Sequence, residues 1–370
     1  MLSSPPWQMP VNMNPLIVFL KNPEIINDLQ ESEWDVLIRF ARNAKMLASL
    51  SSIVDRLADA GDVPRPVSEV LLGDSVRTHY LQLQARREIY ELSKAFNGAN
   101  YPVILLKGAA YIAREFDFAE GRRISDVDLL VAKEHLFDAE RRLKRAGYGQ
   151  QEALSEYDEA YYREWMHEIP PLQHAARSLE IDLHHTIAPP TSRISINSAM
   201  LFEDLQPLKE SGFYTLSAEN MYLHSAVHLF FAEELRGGIR DLYDLWQMSE
   251  LFASQQADFW DALIARAELQ NMQRPLYYAL LASQLIFRQQ LPTSVQQFMH
   301  RSRPGLITKA LMRRFILRVL APVSTGDLGG SFAQWALFVR SHWLRMPPVM
   351  LLKHLLFKSY RRVNIKRIEE

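Results

Sequence analysis

The sequence predicts an α+β fold, a small mixed β-sheet core flanked by N-terminal and C-terminal helical regions. Three observations predict it. Before residue 98 and after residue 217, apolar residues recur at three-to-four spacing, the period of helices with one buried face. Between these limits, short runs alternate apolar and polar residues, the period of strands. Gly and Pro punctuate those short runs, as turns in a compact sheet require. The division expected is therefore 1–98 helical, 99–216 a mixed core, and 217–370 helical with a basic tail.

In the first region Trp34, Leu37, Ile38, Phe40 and Ala41 share a helical stripe, and Leu81 to Phe96 continues as a long amphipathic helix. Asn97-Gly98-Ala99-Asn100 ahead of Pro102 stops it. The core then reads as strand 103–106, helix 109–116, strand 127–131, helix 134–146, strand 148–153, helix 156–166, and strands 172–176 and 179–185. A short strand follows at 213–216. Ser217 caps the next helix, 220–234, because its hydroxyl can accept from a free first-turn amide. Everything beyond reads as helix, broken at Gly237-Gly238, Pro275, Pro292, Pro304, Gly329-Gly330 and Pro347-Pro348.

With 370 residues, 48% of them hydrophobic, the chain can bury a large core. It contains no cysteine, which excludes disulfide-linked partners, thiolate metal sites and a cysteine nucleophile. Met1 to Asn22 carries Pro5, Pro6 and Pro10 and lacks the basic start and apolar run of a secretion signal, so a cytoplasmic location is expected. No uncharged apolar stretch is long enough to predict a membrane span. The formal net charge is −1, yet residues 301–370 hold four Lys and ten Arg against Asp327, Glu369 and Glu370, a balance of +11. A basic tail thus follows an acidic body. Arg301, Arg303, Lys309, Arg313, Arg314 and Arg318, then Lys353, Lys358, Arg361, Arg362, Lys366 and Arg367, are interleaved with Trp335, Phe338, Trp343 and Phe357. Three partners suit such a tail: the phosphates of an RNA such as tRNA, an anionic membrane surface, or the chain's own acidic body.

The chemistry concentrates at Arg122-Arg123-Ile124-Ser125-Asp126-Val127-Asp128-Leu129-Leu130-Val131. Asp126 and Asp128 lie two apart on a strand, so both side chains project from one face. Two carboxylates that close repel each other unless a hard cation such as Mg²⁺ (or Mn²⁺) sits between them. Upstream, Leu106-Lys107-Gly108 ends a strand and enters a helix, where a Gly turn lets a phosphate approach the backbone and Lys107 adds charge. Downstream, Glu180, Asp182 and His184 share one strand face. If that strand neighbours the first, Asp182 completes a carboxylate trio that can hold metal and draw a proton from an attacking group. Ser125 either caps the turn or touches a phosphate. His184 is either a structural histidine or a group that orients the third acid, and His185 faces the other way. His224 and His228, four apart on a helix, have a spacing that can hold zinc but lack an adjacent glutamate, which favours a helix–helix contact.

These residues resemble the nucleotidyltransferase superfamily of the DNA polymerase β type, and within it the bacterial "uncharacterised nucleotidyltransferase" family. Leu106-Lys107-Gly108, Arg123, Asp126 to Val131 and Asp182-Leu183-His184 match that family's pattern, as does Arg240-Asp241-Leu242-Tyr243-Asp244-Leu245 in the helical part; the likeness spans about residues 30 to 255. Lys107 departs from the Gly-Gly or Gly-Ser turn of the wider superfamily. The resemblance implies a Mg²⁺-dependent enzyme (Mn²⁺ as alternative) that moves a nucleoside monophosphate from an NTP, ATP among the candidates, to an acceptor and releases pyrophosphate. It implies metal ligands at Asp126, Asp128 and Asp182, and nucleotide contacts from Lys107, Gly108, Arg123, Ser125, His184, Arg240 and Asp244. The acceptor stays open among RNA or tRNA, as in related toxins, protein, and a small molecule. Two alternatives accompany it: an inactive nucleotide-binding scaffold of the same fold, and a membrane-linked role in a polysaccharide pathway. A glycosyltransferase also uses Asp-x-Asp, but the run of parallel strands expected before Asp126 is missing and Asp182 gains no task.

Overall fold

The computed structural model describes residues 13–57, 63–151, 154–232, 235, 237–323 and 328–353. Helices α1 (Pro15–Lys21), α2 (Glu31–Asn43), α3 (Leu47–Leu57) and α4 (Arg65–Ala95) precede the sheet. In α2 the predicted stripe holds: Trp34, Leu37, Ile38 and Ala41 are buried, and Gln30 with Glu33 closes a capping box over its first turn. Helix α4 starts sixteen residues before the expected Leu81. Its first half hides few apolar residues, leaving Leu72, Val76 and Tyr80 exposed, so the start is marked by Pro66 in the first turn and not by a hydrophobic face.

The core contains β1 (Ile104–Leu105), α5 (Lys107–Ala113), β2 (Asp126–Leu130), α6 (Leu136–Arg145), β3 (Tyr148–Gly149), α7 (Glu156–Ala160), β4 (Leu172–His174), β5 (Glu180–His184), β6 (Gln206–Pro207) and β7 (Tyr214–Thr215). Among the described residues these strands form one seven-stranded mixed sheet in the order β3-β4-β5-β2-β1-β7-β6. Strand β2 lies at its centre, antiparallel to β1 and parallel to β5. Val127 and Leu129 are fully buried on one face of β2, and a one-residue slip would put Asp126 and Asp128 there instead, which fixes the register. Only β1 precedes β2 in the sheet, unlike the parallel series that a glycosyltransferase would need.

Several boundaries differ from the expectation. Helix α5 begins at Lys107, two residues early, so Gly108 belongs to its first turn, and the residue with positive φ (44°) is Lys107, not the glycine. Two helices end in π-helical turns, Tyr161–Trp165 after α7 and His228–Ala232 after α8. Strand β6 was not expected, because Gln206 and Pro207 are exposed and carry no alternation. Residues 152–153 of the expected strand 148–153, and 233–234 of the expected helix 220–234, lie outside the described residues.

Beyond the sheet come α8 (Ala218–Val227), α9 (Ile239–Gln255), α10 (Phe259–Leu269), α11 (Gln273–Ile286), α12 (Thr293–Arg301), α13 (Leu306–Leu320) and α14 (Leu328–Arg345). The Ser217 hydroxyl accepts from the Asn220 amide, the predicted cap of α8. One continuous cluster of buried apolar side chains joins the helices to both faces of the sheet, from Leu16 to Leu337. Among the described residues no helix is long and apolar enough to cross a membrane. The Pro5, Pro6 and Pro10 segment, Phe357, Lys358, Arg361, Arg362, Lys366 and Arg367 lie outside the described residues.

Candidate functional site

The parallel pairing of β2 and β5 sets Asp126 beside Glu180 and Asp128 beside Asp182. Asp126, Asp128 and Asp182 line a single cleft of about 910 Å³, within the size range of small-molecule sites. Asp128 is buried and holds two partners at one oxygen: Lys107 Nζ and His184 Nε2, both 2.9 Å from its Oδ1. Burial works against its charge, but Lys107 and His184 outweigh burial and hold the carboxyl well below the usual range. The same balance holds Lys107 protonated: burial opposes its charge, and Asp128, Asp126 and Glu168 overcome it. Among the described residues Asp126 and Asp182 have no such partner. Burial and the Asp128 charge raise Asp126, while burial, Asp128 and Glu168 push Asp182 up to about 7.

The approach to β2 is clamped from both helical sides. Gln82 of α4 points its amide at the carbonyls of Ala119, Glu120 and Arg122, at 2.8, 2.9 and 2.8 Å. Gly121 presses on α3 so closely that a Cβ there would sit 2.2 Å from the Ser49 backbone nitrogen. Its carbonyl accepts from Ser49 Oγ at 3.1 Å and from Arg240 Nη2 at 3.0 Å. Gly108 packs against Ile124 and Arg122, where a Cβ would come within 2.7 Å of Ile124 Cδ1. This packing seats Lys107 against Asp128 and leaves the backbone of Gly108 on the cleft wall.

Arg123 lines the cleft while its guanidinium pairs with Asp74 of α4. Arg122 pairs with Asp244 and lies 3.4 Å from Asp241, both on α9. Ser125 Oγ donates to Asp126 Oδ1 at 3.2 Å. On α9, Arg240 reaches the cleft wall, but its guanidinium is spent on Ser49 Oγ (2.8 Å) and Gly121. Asp244 is buried behind Arg122 and does not line the cleft; the α9 acid that does is Asp241. Asp244, one of the expected nucleotide contacts, thus reaches the cleft only through its ion pair with Arg122.

Five cleft residues were not among the expected site residues, although one of them, Asp241, lies in the matched stretch Arg240 to Leu245. Lys45 follows α2, Arg345 ends α14, Asp241 sits on α9, and His167 with Glu168 follows the π-helical turn Tyr161–Trp165. Glu168 bridges to His184 as a lone antiparallel pair, which brings a fourth carboxylate to the cleft. Lys45 sits in its turn at positive φ (57°), and nothing local in the sequence marks it or Arg345, His167 or Glu168. His224 is buried, with its pKa pushed down to about 3 by burial and by Lys107; His228 lines the cleft, and burial holds it well below its usual range. Among the described residues this pair belongs to no cluster of three that could hold a metal. His185 lies on the opposite face, as expected, with Nε2 3.3 Å from the Met166 carbonyl.

The carboxylates of Asp126, Asp128 and Asp182 line one cleft, although among the described residues their oxygens do not converge as closely as the ligand atoms of His167, Glu168 and His184. The upward shifts of Asp126 and Asp182 mark a site short of positive charge, and a hard divalent cation, which takes oxygen ligands, suits that feature.

Residues 30–288 match the protein family described as "Uncharacterised nucleotidyltransferase". Comparison with curated proteins and with solved structures gave no match.

Proposed function

We propose that this chain, which belongs to the uncharacterised nucleotidyltransferase family, is a divalent-metal-dependent enzyme that transfers a nucleoside monophosphate from an NTP to an acceptor hydroxyl. The observation that carries the reading is the register of Asp128 against Asp182, with Asp126 on the same face of β2. An ion of Mg²⁺ or Mn²⁺ held by Asp126, Asp128 and Asp182 would neutralise charge on the phosphate oxygens. Asp182 accepts the acceptor's proton, a task suited to a carboxyl poised near neutrality. The acceptor oxygen bonds to the α-phosphorus, the bond from that phosphorus to the bridging oxygen breaks, and pyrophosphate leaves. Lys107, the Gly108 backbone, Arg123 and Ser125 receive the triphosphate, with Lys45 and Arg345 as further cations on the same wall. Such catalysis is positioning and electrostatics. His184 orients Asp128, and Arg240 acts by fixing the loop at Gly121.

The cleft draws residues from all three expected parts, 1–98, 99–216 and 217–370, which fits an acceptor held between helical flanks and sheet. For the acceptor we favour RNA. Arg313 and Arg314 are exposed on α13, and Trp335 (61% exposed) and Trp343 offer rings for stacking on α14. The apolar exposure of Leu306, Ile307 and Val349 supports peripheral membrane contact as the second reading of this surface.

A non-catalytic scaffold is the second reading of the whole chain, favoured by one observation: Lys107 already supplies a cation to Asp128. Incubation with Mg²⁺, each α-labelled NTP and cell lysate, followed by RNA and protein gels, separates the two. A labelled band that is lost in Asp126→Ala supports transfer. NTP binding with neither label nor pyrophosphate release supports the scaffold.

A further inference from the structure

His167, Glu168 and His184 bring one ligand atom each to within 4.8 Å of one another. Glu168 Oε2 lies 3.5 Å from His184 Nδ1 and 3.8 Å from His167 Nε2. The two imidazoles face each other with centroids 5.2 Å apart and planes 35° apart. The arrangement is held by strand geometry, since Glu168 bridges to His184 on β5, and by Asp128, which lies 2.9 Å from His184 Nε2.

A carboxylate accepts, so His184 Nε2 donates to Asp128, and the second ring nitrogen, Nδ1, is the one turned towards Glu168. That Nδ1 is buried, on a side chain only 2% exposed, and has no hydrogen-bond partner among the described residues. It faces the Glu168 carboxylate at 3.5 Å, and His167 turns its Nε2 to the same carboxylate. A buried ring nitrogen left without a hydrogen bond is costly, and a cation shared with Glu168 and His167 removes the cost.

We propose that His167, Glu168 and His184 form a binding site for a transition cation of the zinc class, beside the aspartate trio and separate from it. Two imidazole nitrogens and one carboxylate select zinc-like ions over Mg²⁺, which prefers oxygen throughout. Asp128 is the outer support, fixing the ring of His184 as carboxylates do behind metal-bound histidines. In a tetrahedral zinc site the ligand atoms stand roughly 3.3 Å apart, so the side chains close modestly on the ion. His167 and Glu168 line the cleft, so the fourth position opens towards it and can take a water or a substrate oxygen. The site rests on its own geometry and stands whether or not the chain transfers nucleotides.

The test is titration of the chelator-stripped full chain with Co²⁺ and Zn²⁺, read by cobalt ligand-field absorption, zinc displacement and metal content. The expected result is one tight equivalent with the spectrum of a nitrogen-ligated ion, weakened at least about tenfold in His167→Gln and in Glu168→Gln and retained in Asp126→Asn. His167 and Glu168 are half-buried, so their variants can be checked for folding by thermal melts. Absence of a tight equivalent would mean that a doubly protonated His184 bridges Asp128 and Glu168, and would overturn the proposal. Retention of the equivalent in both variants, or its loss only in Asp126→Asn, would overturn it equally.

Discussion

Asp128 and Asp182 stand side by side on neighbouring parallel strands, in register, yet they are held in opposite ways. Lys107 and His184 keep Asp128 ionised, whereas Asp182 has no cation partner among the described residues and is pushed up to about 7 by burial and by Asp128 itself. One fixed charge and one titrating carboxyl therefore share an edge of the cleft. The difference follows from position: Asp128 lies deeper, where the first turn of α5 delivers Lys107.

Because a proton and a metal ion compete for Asp182, divalent-ion affinity should rise with pH up to about 7 and then level off. The contribution of Asp182 to the stability of the metal-free protein should run the other way. At this group the folded state binds more protons than the unfolded chain between about 4 and 7, so its contribution falls as pH rises through that window, whereas His167, His185, His224 and His228, held below their usual range, contribute the opposite slope. Mn²⁺ titrations, and urea melts of wild type against Asp182→Asn from pH 5 to pH 8, check both signs.

Lys107→Met should weaken the fold. It strands the buried Asp128 carboxylate with His184 alone, and loss of one partner of a buried ion pair costs about 3 kcal/mol. Relief of the left-handed φ at position 107 cannot offset this, since Met is no better suited than Lys to that conformation. Urea unfolding at pH 7.5 reads the loss. An unchanged midpoint would mean that Lys107 contributes little to holding Asp128.

Gly121→Ala tests the clamp behind β2. A Cβ would meet the Ser49 and Ala48 backbone at 2.2 to 2.5 Å, and backbone cannot step aside as a side-chain tip can. Destabilisation of about 3 kcal/mol or more is expected, with the loop at Arg122 displaced. Gln82→Ala should cost less, roughly 1 to 2 kcal/mol, because it leaves three carbonyls short of a donor without a clash.

If the surface of α13 and α14 engages RNA, Arg313→Glu with Arg314→Glu should weaken binding to unrelated RNA sequences alike and flatten its salt dependence by about one unit of log-log slope or more. Filter binding at several salt concentrations measures it. Unchanged RNA affinity together with lost vesicle binding would move the assignment to a membrane surface.

Much of the core was legible in the sequence because its signals are local. The Asp-x-Asp spacing, the alternation at Glu180 to His184 and the Ser217 cap each lie within a few residues, and each recurs in the structure. What escaped was assembled over distance. Glu168 and His167 come from the segment after the π-helical turn Tyr161–Trp165, Arg345 from the far end of α14, and Lys45 from a turn between helices. Asp241 and Asp244 differ by three positions on one helix, and sequence could not say which of them faces the cleft and which is buried behind Arg122. The turn at Lys107 differs in detail from the reading: Gly108 was expected to form the turn, but it lies in the first turn of α5 and the left-handed φ falls on Lys107, whose ammonium pairs with Asp128.

The most direct test compares pyrophosphate release from NTP and lysate acceptor, with Mg²⁺, by wild type and Asp182→Asn, alongside their metal-free thermal melts at pH 8. The amide keeps the shape of the carboxyl and removes a charge that is unfavourable in the folded state. The variant should therefore be more stable, by roughly 1 to 3 kcal/mol, and should lose pyrophosphate release by at least a hundredfold. Release at the wild-type rate by a folded Asp182→Asn would contradict the account.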